Sequence, residues 1–255
     1  MTMYSDIIKL FQAAQKIIVF TGAGISTNCG IPDFRSPNGL YRTLKQRYND
    51  LPYPEAIFDL GYFQENPAPF FDLSRDICSQ NAEPSLAHKF IAWLESEGKI
   101  ALVVTQNIDM LHHRSGLKKV LECHGTYRSA HCLSCRKYYT FEDIDDDMLA
   151  GEIPHCDCGG IIKPDIVFFG EALPQRFYEL YAKPPDADLV LVMGSSLTVE
   201  PAAGFAVNLA QNIPSILVNL EPTHYDGLFT HAIHQDIDMF TQQVWSELQP
   251  DFLPQ

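Results

Sequence analysis

Positive charge is scarce in this chain: 18 Lys and Arg stand against 32 Asp and Glu in 255 residues, a formal net charge of −14. A surface of that sign repels phosphate backbones, so no direct nucleic-acid partner is expected. Basic partners such as lysine-rich peptides stay open. Long apolar runs are missing as well. Nothing approaches the roughly 18 consecutive apolar residues of a membrane span, so no membrane partner is expected. The opening stretch MTMYSDIIKLFQAAQ contains no Arg and reads as neither a secretory signal nor a transit peptide. A cytoplasmic location is expected, with the nucleus open to a eukaryotic source. Cysteines are few and odd in number, seven in all. Four of them fall into two tight pairs, which points to metal binding in a reducing compartment rather than a disulfide framework. A chain of 28.7 kDa buries a sizeable core without such staples.

What is present is a repeated alternation. Residues 5–15 pattern as an amphipathic helix behind Ser5 as N-cap, with Ile7, Ile8, Phe11 and Ala14 on one face. Four short apolar runs follow along the chain: Ile17–Phe20, Ile100–Val104, Leu189–Met193 and Ile216–Leu220. Each ends in small or polar residues, and helical patterns follow near 202–211 and 237–248. Strand, polar tip and helix in repetition indicate an α/β fold with an open parallel sheet. Ligands of such sheets bind beyond the carboxyl ends of the strands, so the polar tips should converge on one crevice. Two stretches break the alternation. Residues 36–85, rich in proline and aromatics, read as a mostly helical insertion, and 126–165 as a small metal-stapled module. The sheet domain then comprises 1–35, 86–125 and 166–255. The acidic run EDIDDD inside the module reads as a solvated helix face.

Five groups of residues carry possible chemistry. Thr21-Gly22-Ala23-Gly24-Ile25-Ser26 lies at a strand end, where glycines let a backbone approach a pyrophosphate, or simply make a tight turn. The dehydrogenase fingerprint needs a third glycine where Thr27 stands. It also needs an acid near Tyr41–Lys45, which is basic and not strand-like. An ordinary dehydrogenase is therefore disfavoured; Glu221 is a later candidate for a ribose-binding acid. In Gly30-Ile31-Pro32-Asp33-Phe34-Arg35 an acid, a ring and a base follow the glycine loop; a surface Asp33–Arg35 pair with Phe34 in the core is the alternative. Gln106, Asn107, Ile108 and Asp109 sit at another strand tip, as ligands of ribose or carboxamide, or as helix caps. His124 is a candidate general base near neutrality or a structural histidine. Cys132 and Cys135, with Cys156 and Cys158, make a four-thiolate set for structural Zn²⁺. The second pair is C-x-C, and the neighbouring His155 is an alternative to Cys156. Cys29, Cys78 and Cys123 read as small packing residues.

In this order the motifs resemble the sirtuin family of NAD-dependent protein lysine deacylases. They are GAGIS at 22–26, GIPDFR at 30–35, TQNID at 105–109, HG at 124–125, the cysteine pairs, KPDIVFFGE at 163–171, GSSL at 194–197 and VNLE at 218–221. The stretch LPYPEAIF at 51–58 is similar to the eukaryotic-type cytosolic and nuclear branch. The resemblance covers about residues 7 to 245 and implies a Rossmann-like parallel-sheet domain with a smaller zinc-binding and helical insertion domain. It implies NAD⁺ as co-substrate and Zn²⁺ as a structural ion. Gly22, Ala23 and Gly24 would bind the diphosphate, and Asp33, Phe34 and Arg35 would close over it. Ile31, Asn107, Ile108 and Asp109 would form the nicotinamide pocket, with Asn107 also catalytic and Gln106 on the ribose. Gly194, Ser195, Ser196, Asn219, Leu220, Glu221 and Ile237 would take the adenosine side. His124 would be the catalytic base, and Val167, Phe168, Phe169, Gly170 and Glu171 the strand that pairs with an acylated peptide.

The implied reaction joins the acyl oxygen of an acyl-lysine to the ribose carbon that loses nicotinamide, and ends in free lysine and an O-acyl-ADP-ribose. A mono-ADP-ribosyltransferase on the same fold and a non-enzymatic reader of NAD⁺ or acyl-lysine are the rival readings. Acylated lysine proteins or peptides would be the partners, and the chain is expected to act as a monomer. Members that prefer succinyl- or malonyl-lysine carry Tyr and, three residues on, Arg in the helical insertion. This chain aligns Phe71 and Ser74 there, with Arg75 one position away, so neutral acyl groups are expected.

Overall fold

A computed structural model describes residues 3–34, 36, 39–48, 51–78 and 82–250, without the side chain of Asp76. Nine strands are defined among the described residues: β1 Ile17–Thr21, β2 Ile100–Thr105, β3 Val120–Glu122, β4 Gly125–Cys132, β5 Tyr138–Thr140, β6 Ile162–Ile166, β7 Leu189–Met193, β8 Ser215–Asn219 and β9 His231–His234. Six form one sheet in the order β3-β2-β1-β7-β8-β9, with every neighbouring pair parallel. The chain builds outward from β1 in one direction, then restarts at β7 on its other side. This reversal places a switch-point crevice beyond the carboxyl ends of β1 and β7.

The continuous apolar runs have a direct cause. All residues of β1, β7 and β8 are buried because helices cover both sheet faces. Ile17, Val19, Leu189, Leu191, Ile216 and Val218 face the helices Met3–Ala13, Leu86–Ser96 and Ile237–Leu248. The alternate residues Ile18, Phe20, Val190, Val192 and Leu217 face Gln175–Ala182 and Ala202–Ala210. In the first layer the fully buried rings of Phe11 and Phe90 meet edge-on at 5.7 Å. Cutting Phe90 back to Ala would cost about 3–5 kcal/mol.

The helical insertion consists of Leu40–Arg47, Leu60–Glu65 and Ala68–Cys78, with a 3₁₀ turn at Pro54–Phe58. The cysteine-bearing stretch forms a three-stranded antiparallel sheet in the order β5-β4-β6. These two stretches share one apolar core: Phe58, Phe63, Phe70 and Phe71 pack with Tyr127, Ile162, Ile166 and Phe168. They sit together over the crevice.

Three details depart from the sequence pattern. The first helix runs Met3–Ala13, so Ser5 lies inside it rather than at its N-cap. The last apolar run belongs to the sheet as Ser215–Asn219, and Leu220 leaves it with 70% of its surface exposed. The run is one residue longer than the sheet can cover, so its end becomes a loop at the crevice. Strand β9 was not anticipated; it is a four-residue edge strand whose sequence, HAIH, has no apolar run.

Candidate active site

The strand tips are tied to one another by hydrogen bonds. Gln106 N–H donates to Thr21 O (2.9 Å), and Ser195 Oγ donates to Gln106 Oε1 (2.7 Å). Asn219 Nδ2 donates to Ser195 O (2.6 Å), so the ends of β1, β2, β7 and β8 form one linked rim. The glycine loop packs directly on this rim. Gly24 N–H donates to Gly194 O (2.8 Å), and a Cβ on Gly24 would lie 2.7 Å from Gly194 Cα. Only a residue without a side chain allows that approach.

A cavity of about 920 Å³ opens above the rim. It is near the top of the roughly 300–1,000 Å³ range of small-molecule sites. Of the residues singled out from sequence, Ala23, Gly24, Asp33, Phe34, Gln106, Asn107, Ile108, His124, Val167, Phe168, Phe169, Gly170, Gly194, Ser195, Ser196, Asn219, Leu220, Glu221 and Ile237 line it. Gly22, Ile31 and Asp109 are not in its wall. Gly22 N–H donates to Met193 O (3.1 Å) beneath the loop, and Asp109 stands behind Asn107. Arg35 lies outside the described residues. The lining also contains Glu171, which ends the expected peptide strand, and Tyr41, Phe58, Tyr178 and Gln235, which sequence patterns did not single out for this wall. Phe58 ends the LPYPEAIF stretch, and the signal of Tyr41, Tyr178 and Gln235 was proximity to the quoted motifs.

His124 stands where β3 gives way to β4. Its Nδ1 faces Gln106 O at 3.1 Å. A carbonyl only accepts, so Nδ1 carries the hydrogen and Nε2 keeps the basic lone pair. Burial lowers the His124 pKa, partly opposed by the bond to Gln106 O. The neutral base form is therefore the resting form at pH 7. Asn107 is only 7% exposed. Its Nδ2 donates to Ser26 Oγ and to Asp109 Oδ2, each at 3.1 Å, and Ser26 Oγ donates to Asp109 Oδ2 at 2.6 Å. Asp109 thus orients the amide and leaves the Asn107 Oδ1 as an acceptor for a ligand. Phe34 contacts the rings of Tyr41 (5.5 Å) and Phe58 (5.8 Å), an aromatic wall over this region.

Behind the rim lies a buried polar network. Thr21 Oγ1 donates to Thr105 Oγ1 and contacts His112 Nε2, both at 2.8 Å. His88 Nδ1 meets Ser85 Oγ at 2.9 Å, and the two imidazoles lie 4.8 Å apart. Burial pushes His88 down to about 4 and also lowers His112.

Phe71 and Ser74 are fully buried and do not line the cavity; the Ser74 hydroxyl is satisfied by Tyr127 Oη at 3.0 Å. Arg75 is paired with Asp72 at 2.8 Å. The apolar cavity wall in front of them is made by Phe58, Ile108, Ile166 and Phe168. Among the described residues, no Lys or Arg lines the cavity.

The second site is the cysteine cluster. Ligand atoms of Cys132, Cys135, Cys156 and Cys158 all lie within 4.8 Å of one another. The donor set suits tetrahedral Zn²⁺, and four protein ligands leave no open position. The Cys135 N–H donates to the Cys132 sulfur at 3.5 Å, the kind of contact that steadies a thiolate. A Cβ on Gly160 would lie 2.7 Å from Cys132 Sγ, so the knuckle closes tightly on the sulfurs. His155 pairs with Ile161 through its backbone and is not part of this four-residue group, whereas Cys156 is.

A parallel sheet with a switch-point crevice, a basic histidine within it and a four-cysteine module beside it define a class of ligand-binding α/β proteins. The Sir2 family model matches residues 22–201, and the chain belongs to that family. It is 44% identical over 226 residues to the NAD-dependent protein deacetylase sir-2.1 of Caenorhabditis elegans, covering 88% of this chain and 37% of that protein. It is 43% identical to the Homo sapiens NAD-dependent protein deacetylase sirtuin-1 over 87% of this chain and 31% of that protein. Against sirtuin-2 of Danio rerio the identity is 44%, over 88% of this chain and 62% of that protein. The chain thus spans about a third to three fifths of the length of these relatives. A solved Sir2 enzyme superposes with a TM-score of 0.86 at 37% identity, covering 97% of this chain and 98% of that one. A Sir2 bound to p53 peptide and NAD⁺ gives a TM-score of 0.83 at 36% identity, covering 98% and 100%. Among the described residues no helix is long and apolar enough to cross a membrane.

Proposed function

We propose that this chain is an NAD⁺-dependent protein lysine deacylase, releasing nicotinamide and an O-acyl-ADP-ribose from acyl-lysine peptides. The observation that carries the reading is His124: Nδ1–H donates to Gln106 O, which leaves a neutral, basic Nε2 in a cavity floored by a glycine loop. NAD⁺ supplies the ribose carbon from which nicotinamide leaves and the hydroxyl that afterwards attacks the acyl carbon. His124 Nε2 takes the proton of that hydroxyl. Asn107, held by Ser26 and Asp109, orients the nicotinamide end. Phe34, backed by Tyr41 and Phe58, keeps water from the reacting carbon. Ala23, Gly24, Ser195 and Ser196 offer backbone and hydroxyl groups to the diphosphate and ribose, with Arg35 as the cationic candidate; Gln106 takes the ribose. Asn219, Leu220, Glu221 and Ile237 take the adenosine. Gly22 and Asp109 support these groups from behind the wall, and Ile31 is kept as a nicotinamide-pocket residue.

The segment Val167–Gly170 receives the peptide by strand addition. The Val167 N–H is spent on His124 O at 2.9 Å, so its carbonyl is the group left for a substrate amide. Zinc on Cys132, Cys135, Cys156 and Cys158 holds the module and takes no part in the chemistry. On this reading the sheet domain is 1–35, 86–125 and 166–255, the helical insertion is 36–85 and the zinc module is 126–165. The chain acts as a cytoplasmic monomer with no direct nucleic-acid or membrane partner. Incubation with acetylated peptide and NAD⁺ labelled in the adenylate separates this from ADP-ribosyl transfer. Deacylation puts the label in free O-acetyl-ADP-ribose; label on protein would replace it with the transferase reading.

A further inference from the structure

Lys163 is a buried ammonium outside the groups so far assigned. It lies on β6 opposite His131 of β4, and its side chain is only 6% exposed. Its three hydrogens have three acceptors: Ile166 O at 2.6 Å, Glu171 Oε2 at 2.9 Å and Pro164 O at 3.4 Å. The nitrogen also sits 4.1 Å from the centre of the Phe168 ring. Burying a charge is costly unless every bond is made, so this arrangement is a commitment of the fold.

The bonds converge on the segment read above as the peptide's pairing strand. The same Glu171 Oε2 accepts the Phe168 N–H at 2.8 Å, and Glu171 N–H returns to Phe168 O at 3.0 Å. Gly170 allows the turn with φ +94°. On one side Val167 N–H reaches His124 O; on the other Phe169 N–H reaches Phe58 O at 2.8 Å. The turn from 166 to 171 therefore links the candidate base to the helical insertion, and the Lys163–Glu171 pair closes it.

We propose that Lys163, acting through Glu171, is a positioning residue for the acyl-lysine peptide, which fixes the turn that pairs with the substrate. This rests on the reading of Val167–Gly170 as the peptide-binding segment. Lys163→Met keeps most of the buried stem and frees Glu171, whose side chain is 29% exposed and can be solvated, so the chain should still fold. Steady-state kinetics of the full chain with an acetyl-lysine peptide and NAD⁺ are the test, with zinc content and melting temperature as controls. Loss of charge-assisted hydrogen bonds of this kind should raise the peptide KM about tenfold or more while the NAD⁺ KM stays within about twofold. Glu171→Gln should give a similar split, and the double variant should resemble either single one, because both remove the same link. A wild-type chain that releases no nicotinamide overturns the deacylase reading and this inference with it. Wild-type turnover with a peptide KM unmoved by Lys163→Met, with both KM values raised equally, or with additive effects in the double variant overturns the inference alone.

Discussion

Gly24→Ala probes the junction where fold and site meet. The added Cβ would lie 2.7 Å from Gly194 Cα and 3.0 Å from Gly194 O. Carbon atoms pack at about 3.5–4.0 Å, so one backbone must retreat by roughly 1 Å. Neither side yields easily. Gly24 N–H is bonded to Gly194 O, Gly194 N–H is bonded to Val218 O at 2.9 Å, and Gly194 holds φ +67°. Overpacking at a fixed contact costs about 1–3 kcal/mol. For a chain of this size that lowers Tm by roughly 2–4 °C per kcal/mol. The shift also moves the loop away from the rim, and a misplacement of about 1 Å can cost about 100-fold in a positioned site. Scanning calorimetry and titration with NAD⁺ measure the two effects. Gly30→Ala is the contrast: nothing lies within 4 Å of its Cβ, so only the φ of +84° opposes it. It should lose about 1–2 kcal/mol of stability and leave NAD⁺ affinity intact. A Gly24→Ala protein with unchanged Tm and unchanged NAD⁺ affinity would refute the close-approach argument.

Three further outcomes are expected. Elemental analysis should find one Zn²⁺ per chain, lost in Cys156→Ser and kept in His155→Ala, and chelation should lower Tm because metal binding is coupled to folding; the opposite pattern would make His155 the ligand. Acetyl-lysine peptides should exceed succinyl-lysine peptides in kcat/KM by at least about 30-fold, since an unpaired acyl carboxylate loses several kcal/mol in apolar surroundings. Equal efficiencies would place a cation in the acyl site. Acid should destabilise the fold through His88 and His112, whose pKa values burial depresses below the unfolded value of about 6.5. The unfolded chain then takes up protons first, so their contribution is complete above pH ~6.5 and is lost as pH falls through the folded values. Tm should fall steadily from pH 6.5 towards 5, less so in a His88→Asn, His112→Gln variant; equal slopes in the two proteins would exclude the pair as the cause.

The sheet was legible because burial on both faces turns a strand into an unbroken apolar run, as in Leu189–Met193. Edge strand β9 left no such trace. Most of the cavity wall was legible through short motifs at the strand tips. The supports behind it were not. Thr21 and His112 are 91 residues apart in sequence, and Lys163 and Glu171 meet only because a turn folds between them. The position of Phe71 and Ser74 behind the wall was equally hidden, since alignment gives register and not depth. The common core of the helical insertion and the cysteine module joins Phe63, Phe70 and Phe71 to Tyr127, Met148 and Ile162, about 55 to 100 residues on. Local patterning carries no information about such pairs.

The central claim is that His124 acts as the base of an acyl-lysine-dependent cleavage of NAD⁺. Its most direct test follows nicotinamide, deacetylated peptide and O-acetyl-ADP-ribose together, for the wild-type chain and for His124→Ala. The wild type should form the three products in equal amounts, and only when acetyl-peptide is present. His124→Ala should bind NAD⁺ with near wild-type affinity and yield almost no deacetylated peptide. Near wild-type turnover by His124→Ala, or nicotinamide release by the wild type that ignores the peptide, would contradict the account.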